Sequence, residues 1–287
     1  MSSSPRTVLI TGANAGIGFA AASQLAAAGH SVLLGCRSRA RGDEAAARIL
    51  AETPGAEVAV LEVDMASQAS IRRAASTVDA LDALVHNAAF FDIRERRRRL
   101  TAEGREVTWA TNHLGPALLT ELLLPKLLEG RSPRVVAVTS KGLVTQPWIA
   151  LDLDDPEFET REFSVARAYY HSKLAHLAWM LDLADRLRDT PARVHGVRVT
   201  NVKIDLARYE GLAWYLRAMY ALKSRFSITP AEMARAYAWL CVDDAPGEAT
   251  GGYWDDVDRP ATPSRWARDA ANREALAALT RRQIGLD

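Results

Sequence analysis

Short apolar runs alternate with longer amphipathic segments along most of the chain. The first run, residues 7–11 (TVLIT), is rich in β-branched side chains, and an alanine-rich segment follows it to about Ala28. Short runs of this kind predict buried strands, and the longer segments predict helices. Further strands are predicted at 31–36, 57–63, 82–86, 134–140, 194–202 and 251–254, and further helices at 40–52, 68–78, 102–128, 165–188, 229–242 and 264–282. The alternation predicts an α/β fold with a doubly wound parallel sheet flanked by helices. Because no repeat, linker or composition break interrupts it, we expect residues 1–287 to form a single domain.

A glycine-rich turn joins the first predicted strand to the first predicted helix. It contains Gly12, Gly16 and Gly18, with Asn14 and Ile17 between them. Gly12 would permit a tight turn, Gly16 a close approach of the backbone to a pyrophosphate, and Gly18 close packing of the helix on the strand. The alternative is a flexible loop whose glycines are incidental. Because the turn is the first strand-to-helix connection, we predict a Rossmann fold and assign all five residues to cofactor binding.

The end of the second predicted strand indicates which dinucleotide is bound. In folds that bind NAD, an acidic residue at this point holds the ribose 2′-hydroxyl. Here the strand ends in Cys36-Arg37, and no acidic residue occurs before Asp43. A guanidinium can instead form paired hydrogen bonds with a 2′-phosphate. We therefore predict NADP(H), held by Arg37; the alternative is a solvated arginine at the start of a helix.

Two further strand ends carry candidate cofactor contacts. Asp64 follows the third predicted strand, where its carboxylate could accept from the adenine amino group or, alternatively, cap the next helix. Met65 beside it is assigned to the same site. Asn87 follows the fourth predicted strand, and ligands of open parallel sheets bind at such ends.

The candidate chemistry lies in the predicted helix 165–188. Tyr169 and Lys173 are four residues apart, so they share one helix face, whereas the residue four positions after Tyr170 is Leu174. An adjacent ammonium favours a phenolate, so Lys173 is expected to lower the pKa of Tyr169 and to make it a usable general acid or base. Ser140 ends the predicted strand 134–140.

Proline 116 follows Asn112 by four residues in a predicted helix. Because proline has no N–H, Pro116 leaves the carbonyl of Asn112 without its helical partner, and an ordered water could take that place. The alternative is a kink without a role.

Composition and charge exclude several classes of protein. The net charge of +1 does not indicate a nucleic-acid partner. Two cysteines fit a reducing compartment, and the first residues lack the pattern of a signal peptide. The longest apolar candidate, 212–222, is too short to span a bilayer and is interrupted by Arg217. No histidine or cysteine spacing suits a metal. We therefore predict a soluble cytoplasmic protein without metal, membrane or nucleic-acid partners.

The run Arg94–Arg99 contains five arginines and one glutamate. A run of this kind usually forms a solvated face. A sharper alternative is that it docks an acidic partner or an acidic carrier of the substrate.

Taken together, these motifs resemble the short-chain dehydrogenase/reductase family over nearly the whole chain. The branch that contains retinol dehydrogenases and NADP-dependent carbonyl reductases is the most similar. The residues that carry the resemblance are Thr11-Gly12-x-x-x-Gly16-Ile17-Gly18, the Asn87 segment, Asn112, Ser140, and Tyr169 with Lys173.

The resemblance implies a catalytic tetrad of Asn112, Ser140, Tyr169 and Lys173. It implies that nicotinamide exchanges a hydride with a carbonyl carbon, while Tyr169 protonates the oxygen and Ser140 hydrogen-bonds to it. Lys173 would also hold the nicotinamide ribose, and the Asn112 carbonyl would hold a water of a proton relay. Family members commonly pair through their two longest helices, which implies a homodimer or homotetramer.

Two motifs depart from the family pattern. The family sequence Asn-Asn-Ala-Gly appears here as His86-Asn87-Ala88-Ala89, which could shift the backbone around the cofactor. The Pro-Gly expected after the sixth strand appears as Ile204-Asp205. In the family that turn lies against the nicotinamide, so the change puts the position of the nicotinamide ring in question. The Asp205 carboxylate would lie either near the reaction centre or in a surface turn.

The predicted function is therefore NADP(H)-dependent interconversion of a ketone or aldehyde and an alcohol on a fairly large apolar or aromatic substrate. A helical segment near 206–228, which includes the aromatic stretch from Trp214 to Phe226, is expected to cover the substrate; the alternative is a core or dimer contact. Two other functions stay open: a cyclase or dehydratase that uses Tyr169 and Lys173 only for proton transfer, and a cofactor-sensing protein without turnover.

Overall fold

An eight-stranded sheet forms the centre of the protein. The computed structural model describes residues 4–203, 227–243, 246 and 249–286. The strands follow the order β3-β2-β1-β4-β5-β6-β7-β8, and all neighbours are parallel except β7 and β8. Their bounds are β1 Thr7–Thr11, β2 Ser31–Cys36, β3 Val58–Glu62, β4 Ala83–His86, β5 Arg134–Ser140, β6 Arg193–Val199, β7 Gly252–Asp256 and β8 Arg259–Pro260. The order reverses between β1 and β4, which opens a crevice at their carboxyl ends.

Helices cover both faces of the sheet. Their bounds are α1 Gly16–Ala27, α2 Arg39–Glu52, α3 Gln68–Ala75, α4 Val107–Trp109, α5 Gly115–Glu129, α6 Val165–Arg186, α7 Pro230–Val242, α8 Arg265–Arg268 and α9 Ala270–Ile284. A π turn, Ala110–Leu114, joins α4 to α5, and a 3-10 turn, Lys141–Thr145, follows β5. This arrangement confirms the predicted doubly wound α/β fold.

Side chains of each strand alternate between two apolar cores. Val8 and Ile10 of β1 lie in one core with residues of α1, α2 and α7, whereas Leu9 lies in the other with residues of α3, α5, α6 and α9. Both sides of the central strands are therefore buried, which explains why these strands are continuous apolar runs in the sequence.

Three predicted elements end or begin at other residues in the structure. The helix predicted from residue 102 begins at Val107, because the Glu106 carboxylate caps the backbone N–H groups of Thr108 and Trp109. The predicted terminal helix is divided at Asp269, which ends α8 and caps α9. The strand predicted to residue 202 ends at Val199, and the two-residue β8 was not predicted.

The predicted substrate-covering segment lies almost wholly outside the described residues, as do Ile204 and Asp205. Of that segment only Ser227 and Ile228 are described, and Ile228 forms an isolated parallel bridge with Val202. Within the described residues, no helix combines the length and the apolar character that crossing a bilayer requires.

Candidate active site

The glycine turn adopts a conformation that side chains would obstruct. Gly12 and Gly16 have φ values of +68° and +62°, in the left-handed region that favours glycine. A Cβ on Gly18 would lie 2.5 Å from Nδ2 of Asn87 and 2.7 Å from the Gly12 carbonyl oxygen. Gly12 therefore turns the chain in a conformation that favours glycine, and Gly18 lies too close to its neighbours to carry a side chain.

Hydrogen bonds join the glycine turn to the residues that follow β4. The Asn87 amide donates to the carbonyls of Thr11 and Gly12 at 2.8 and 3.3 Å, and the Ala88 N–H donates to the Thr11 hydroxyl at 3.0 Å. Asn87 thus lies at the floor of the crevice and supports the turn. At the start of α1, Ala15 forms no side-chain cap, so the first amides of the helix remain available to an anion.

A cleft of about 420 Å³ lies on the β2 side of the turn. Asn14, Asp64 and Met65 line it, together with Ala88 and Gly12. Asp64 does not cap the following helix: its Oδ1 accepts from the Ala66 N–H at 2.9 Å, and Ser67 caps α3. The capping alternative for Asp64 is therefore wrong, and its carboxylate lines the cleft as the cofactor hypothesis requires.

Two guanidinium groups lie at the mouth of this cleft. Arg37 and Arg41 both line it and are exposed, and within the described residues neither is paired with a carboxylate. Arg39 instead forms an ion pair with Asp43 at 3.0 Å. Asp43 is therefore occupied, and the mouth carries positive charge.

A second cavity of about 880 Å³ lies on the other side of the turn. Gly16, Ile17 and Asn87 line it on one side, and Thr200 and Lys203 line it beyond the end of β6. The two cavities lie on either side of the glycine turn, near the carboxyl ends of the strands.

Tyr169 and Ser140 lie next to each other near the carboxyl end of β5. The Tyr169 side chain on α6 is half-buried, and the Ser140 side chain at the end of β5 lies close enough to lower the pKa of its phenol. The Ser140 hydroxyl accepts from the Gly142 N–H at 3.1 Å. Burial raises the pKa of Tyr169, and the neighbouring Ser140 opposes that rise only in part.

Lys173 lies deeper in the protein than its predicted partner. Its side chain is 3% exposed, and its Nζ donates to the Val138 carbonyl at 2.9 Å and lies 6.0 Å from the centroid of the Tyr169 ring. Burial lowers the pKa of Lys173 to about 8. The expected lowering of the Tyr169 pKa by Lys173 is wrong for the protein chain alone, because burial of the phenol is the main cause of its shift and Lys173 is not among the groups that shift it.

Asn112 connects three parts of the site. It lies in the π turn, and its Oδ1 accepts from the Phe90 N–H at 2.6 Å. Its Nδ2 donates to the Phe90 carbonyl and to the Ser172 hydroxyl, both at 3.0 Å. The Ser172 hydroxyl in turn donates to the Tyr169 carbonyl at 2.8 Å. The structure therefore places Asn112 in contact with the helix that carries Tyr169 and Lys173, through the side-chain bond to Ser172.

Comparison with known proteins agrees with this geometry. The model of the short chain dehydrogenase family matches residues 6–151. Human retinol dehydrogenase 13 is 30% identical over 289 residues, covering 98% of this chain and 85% of that protein. Human retinol dehydrogenase 14 is 33% identical over 269 residues, covering 88% and 78%. A crystal structure of an uncharacterized protein from Mycobacterium paratuberculosis superimposes with a TM-score of 0.73 at 31% identity, covering 98% of this chain and 93% of that one.

The chain belongs to the short-chain dehydrogenase family. It is therefore an oxidoreductase whose relatives include alcohol dehydrogenases of the retinol branch, as the sequence motifs predicted.

The first departure from the family motif has a structural explanation. In this short-chain dehydrogenase, His86 points into the helix layer, where its Nε2 lies 2.6 Å from the Thr120 hydroxyl and its ring packs edge-on against His176 and Trp179. Burial lowers the pKa of His86 to about 3, so the imidazole is neutral. Because the side chain points away from the crevice, the change leaves Asn87 in place.

Sequence reasoning did not single out Ser172 or the carboxylates that position the π turn. Glu157 accepts from the Glu106 N–H at 2.6 Å and pairs with Arg105 at 3.0 Å, and Glu106 caps the helix that leads to Asn112. A hydroxyl directly before Lys173 was the available signal for Ser172. No sequence signal marks Glu157, because its partners are distant in the chain.

The arginine-rich run forms mostly internal contacts. Arg94 pairs with Asp92, Arg98 with Glu159 and Arg99 with Glu95. These ion pairs favour the interpretation as a structural loop over a docking site for an acidic partner. Among the described residues, no group of three or more metal-binding side chains occurs.

The glycine turn yields a first prediction. Replacing Gly18 with Ala should weaken binding of the nicotinamide dinucleotide by roughly tenfold or more, because the new Cβ would displace Asn87 and the Gly12 carbonyl. Fluorescence titration measures the dissociation constant. Lys126→Ala, an exposed substitution in α5, is the control and should leave the affinity unchanged. Unchanged affinity in the Gly18 variant would contradict the assigned role.

Burial of Lys173 yields a second prediction, about stability. Its pKa is about 8 in the folded protein, against the ordinary lysine value of 10.5 that holds in the unfolded chain, so the unfolded chain binds more protons between these values. Folding therefore bears a cost on the order of 3 kcal/mol below pH 8, which disappears as the pH rises towards 10.5.

Lys173→Met removes this titration. The free energy of unfolding of the wild type, measured relative to that variant in urea, should therefore rise between pH 7 and pH 10. Lys126→Met, at an exposed position, is the control: the free energy of unfolding of the wild type relative to this variant should not rise over the same pH range. Parallel pH profiles of the wild type and the Lys173 variant would contradict the buried ammonium.

Proposed function

We propose that this protein is an NADP(H)-dependent oxidoreductase that interconverts a ketone or aldehyde and an alcohol on a fairly large apolar or aromatic substrate. The observation that carries the proposal is the placement of the Tyr169 and Ser140 side chains next to each other, close to buried Lys173 and at the same sheet edge as the glycine turn. The human relatives are named for retinol, an alcohol with a long apolar chain, which supports the substrate class.

The crevice has the groups that a dinucleotide requires. The turn formed by Gly12, Gly16 and Gly18, with the uncapped start of α1, would hold the pyrophosphate. Arg37 and Arg41 at the mouth of the cleft would hold a 2′-phosphate.

Other contacts would fix the two ends of the dinucleotide. Asp64 and Met65 would lie against the adenine, and Lys173 and Tyr169 would lie against the nicotinamide ribose. When bound, the nicotinamide supplies or accepts the hydride.

Tyr169 would transfer the proton. Because burial raises its pKa, the phenol is protonated at neutral pH, as a general acid for carbonyl reduction must be. Ser140 would hydrogen-bond to the same substrate oxygen and stabilise the charge that develops there. Lys173, with a pKa of about 8, carries a positive charge at pH 7 and would stabilise the phenolate left after transfer.

We further propose that residues 1–287 form one domain, that the protein is cytoplasmic, and that it forms a homodimer or homotetramer through its two longest helices. A cyclase or dehydratase was motivated by Ile204-Asp205, which lie outside the described residues, so no described contact favours it.

Tyr169→Phe tests the proposed acid. The variant should lose at least about a hundredfold in kcat for carbonyl reduction, because the proton donor is gone, while its affinity for NADPH stays close to that of the wild type. Steady-state kinetics and fluorescence titration measure the two quantities. Tyr170→Phe is the matched control, since it removes the neighbouring hydroxyl. Retained turnover in the Tyr169 variant would refute the assignment.

Arg37→Ala tests the cofactor preference. Loss of a charge-assisted hydrogen bond to a 2′-phosphate should weaken NADPH binding by about tenfold to a hundredfold and leave NADH binding nearly unchanged. Isothermal titration with both cofactors gives the ratio. Arg39→Ala is the control, because Arg39 is paired with Asp43. Equal losses for NADPH and NADH would count against a 2′-phosphate contact.

A further inference from the structure

An aromatic side chain outside the predicted tetrad lies directly against Tyr169. The centroids of the Phe91 and Tyr169 rings are 4.7 Å apart, and the ring planes are inclined by 55°. Phe91 is a large apolar side chain, yet 41% of its surface is exposed. It is therefore not a core residue: one side contacts the catalytic phenol, and the remainder is available to a ligand.

The backbone next to Phe91 is held firmly. Asn112 binds both the N–H and the carbonyl of Phe90, at 2.6 and 3.0 Å. The Arg99 guanidinium lies over the Phe90 ring, 4.8 Å from its centroid. Because the preceding residue is fixed on both backbone groups and on its ring, Phe91 has a defined position relative to Tyr169.

A second aromatic ring also lies against Tyr169. The Tyr170 ring lies 5.4 Å from that of Tyr169, inclined by 68°. It also lies so close to Gly142 that a Cβ there would come within 2.6 Å of it. Tyr169 thus lies against two rings, of which Phe91 extends from the end of β4, the strand whose continuation forms the crevice floor.

We propose that Phe91 is a specificity-determining residue, which favours substrates that carry a flat, unsaturated or aromatic group directly on the carbonyl carbon. The inference rests on the proposed function. A flat group can pack against the Phe91 ring while the carbonyl oxygen reaches the Tyr169 hydroxyl. A saturated ring of the same size is thicker and lacks the favourable ring-to-ring contact.

Phe91 also restricts the access of water to the phenol. Burial is the main cause that raises the pKa of Tyr169, and the Phe91 ring covers one face of that side chain. Removing the ring should hydrate the phenol, so its pKa should fall towards the ordinary value. The other charged or titratable groups near Tyr169, namely Lys173, Tyr170 and the more distant Tyr237, stay in place.

The test compares benzaldehyde with cyclohexanecarbaldehyde, which have rings of equal size but different flatness. The wild type should reduce benzaldehyde with the higher kcat/KM. In Phe91→Ala and Phe91→Leu this preference should fall by about threefold to tenfold, the range expected for loss of one aromatic contact. Phe163→Ala, which truncates a phenylalanine that packs on Phe158, is the matched control and should keep the preference.

A second readout does not depend on turnover. The ultraviolet titration of Tyr169 is obtained as the difference between each protein and its Tyr169→Phe counterpart. Phe91→Ala should shift this titration to lower pH, whereas Phe91→Leu, which keeps an apolar cover, should shift it less.

The possible outcomes separate this inference from the proposed function. If Tyr169→Phe abolishes reduction but the Phe91 variants keep the wild-type preference, or if the wild type shows no preference for the flat ring, the role of Phe91 is refuted and the proposed function stands. If Tyr169→Phe reduces both aldehydes as well as the wild type does, the proposed function itself fails. A lost preference together with the shifted titration supports Phe91 as the selecting residue.

Discussion

The side-chain amide of Asn112 is the constraint on which the site depends. All its bonds go to other segments: two to the backbone of Phe90 after β4 and one to Ser172 on α6. A carboxamide has one acceptor and two donor hydrogens, so this residue saturates its donors while it joins the sheet edge, the π turn and the helix that bears Tyr169. A π turn inside a helix often marks a functional position, and here it brings Asn112 to the place where the three segments meet.

Burial sets the electrostatics around that junction. The Tyr169 phenol has a raised pKa and the Lys173 ammonium a lowered one, and burial is the main cause of both. Both shifts favour the uncharged form of the side chain. Tyr169 therefore keeps its proton at neutral pH, and Lys173, with a pKa of about 8, is still mostly protonated there. The protonated phenol is the form that can donate a proton to a carbonyl oxygen. His86 lies in the adjoining core as a neutral imidazole and adds no charge.

Much of the fold was predictable because its signals are local. The apolar runs marked seven strands, and Gly12, Gly16 and Gly18 marked the turn whose geometry admits no larger residue. The start of the helix at Val107 was missed because it depends on Glu106, whose N–H is held by a residue 51 positions away. The direction of the Tyr169 pKa was missed for a related reason. Sequence spacing shows that Lys173 shares a helix face with Tyr169, but it does not show how far each group is removed from water.

The central claim is that Tyr169 protonates a carbonyl oxygen while a hydride from NADPH reaches its carbon. Single-turnover reduction of an aromatic aldehyde with NADPH deuterated at the reactive position of nicotinamide C4, followed by mass spectrometry of the alcohol, measures this directly. One deuterium per alcohol formed, with NADP⁺ released in equal amount, is the predicted result. Product that forms without deuterium, while the NADPH stays reduced, would contradict the account.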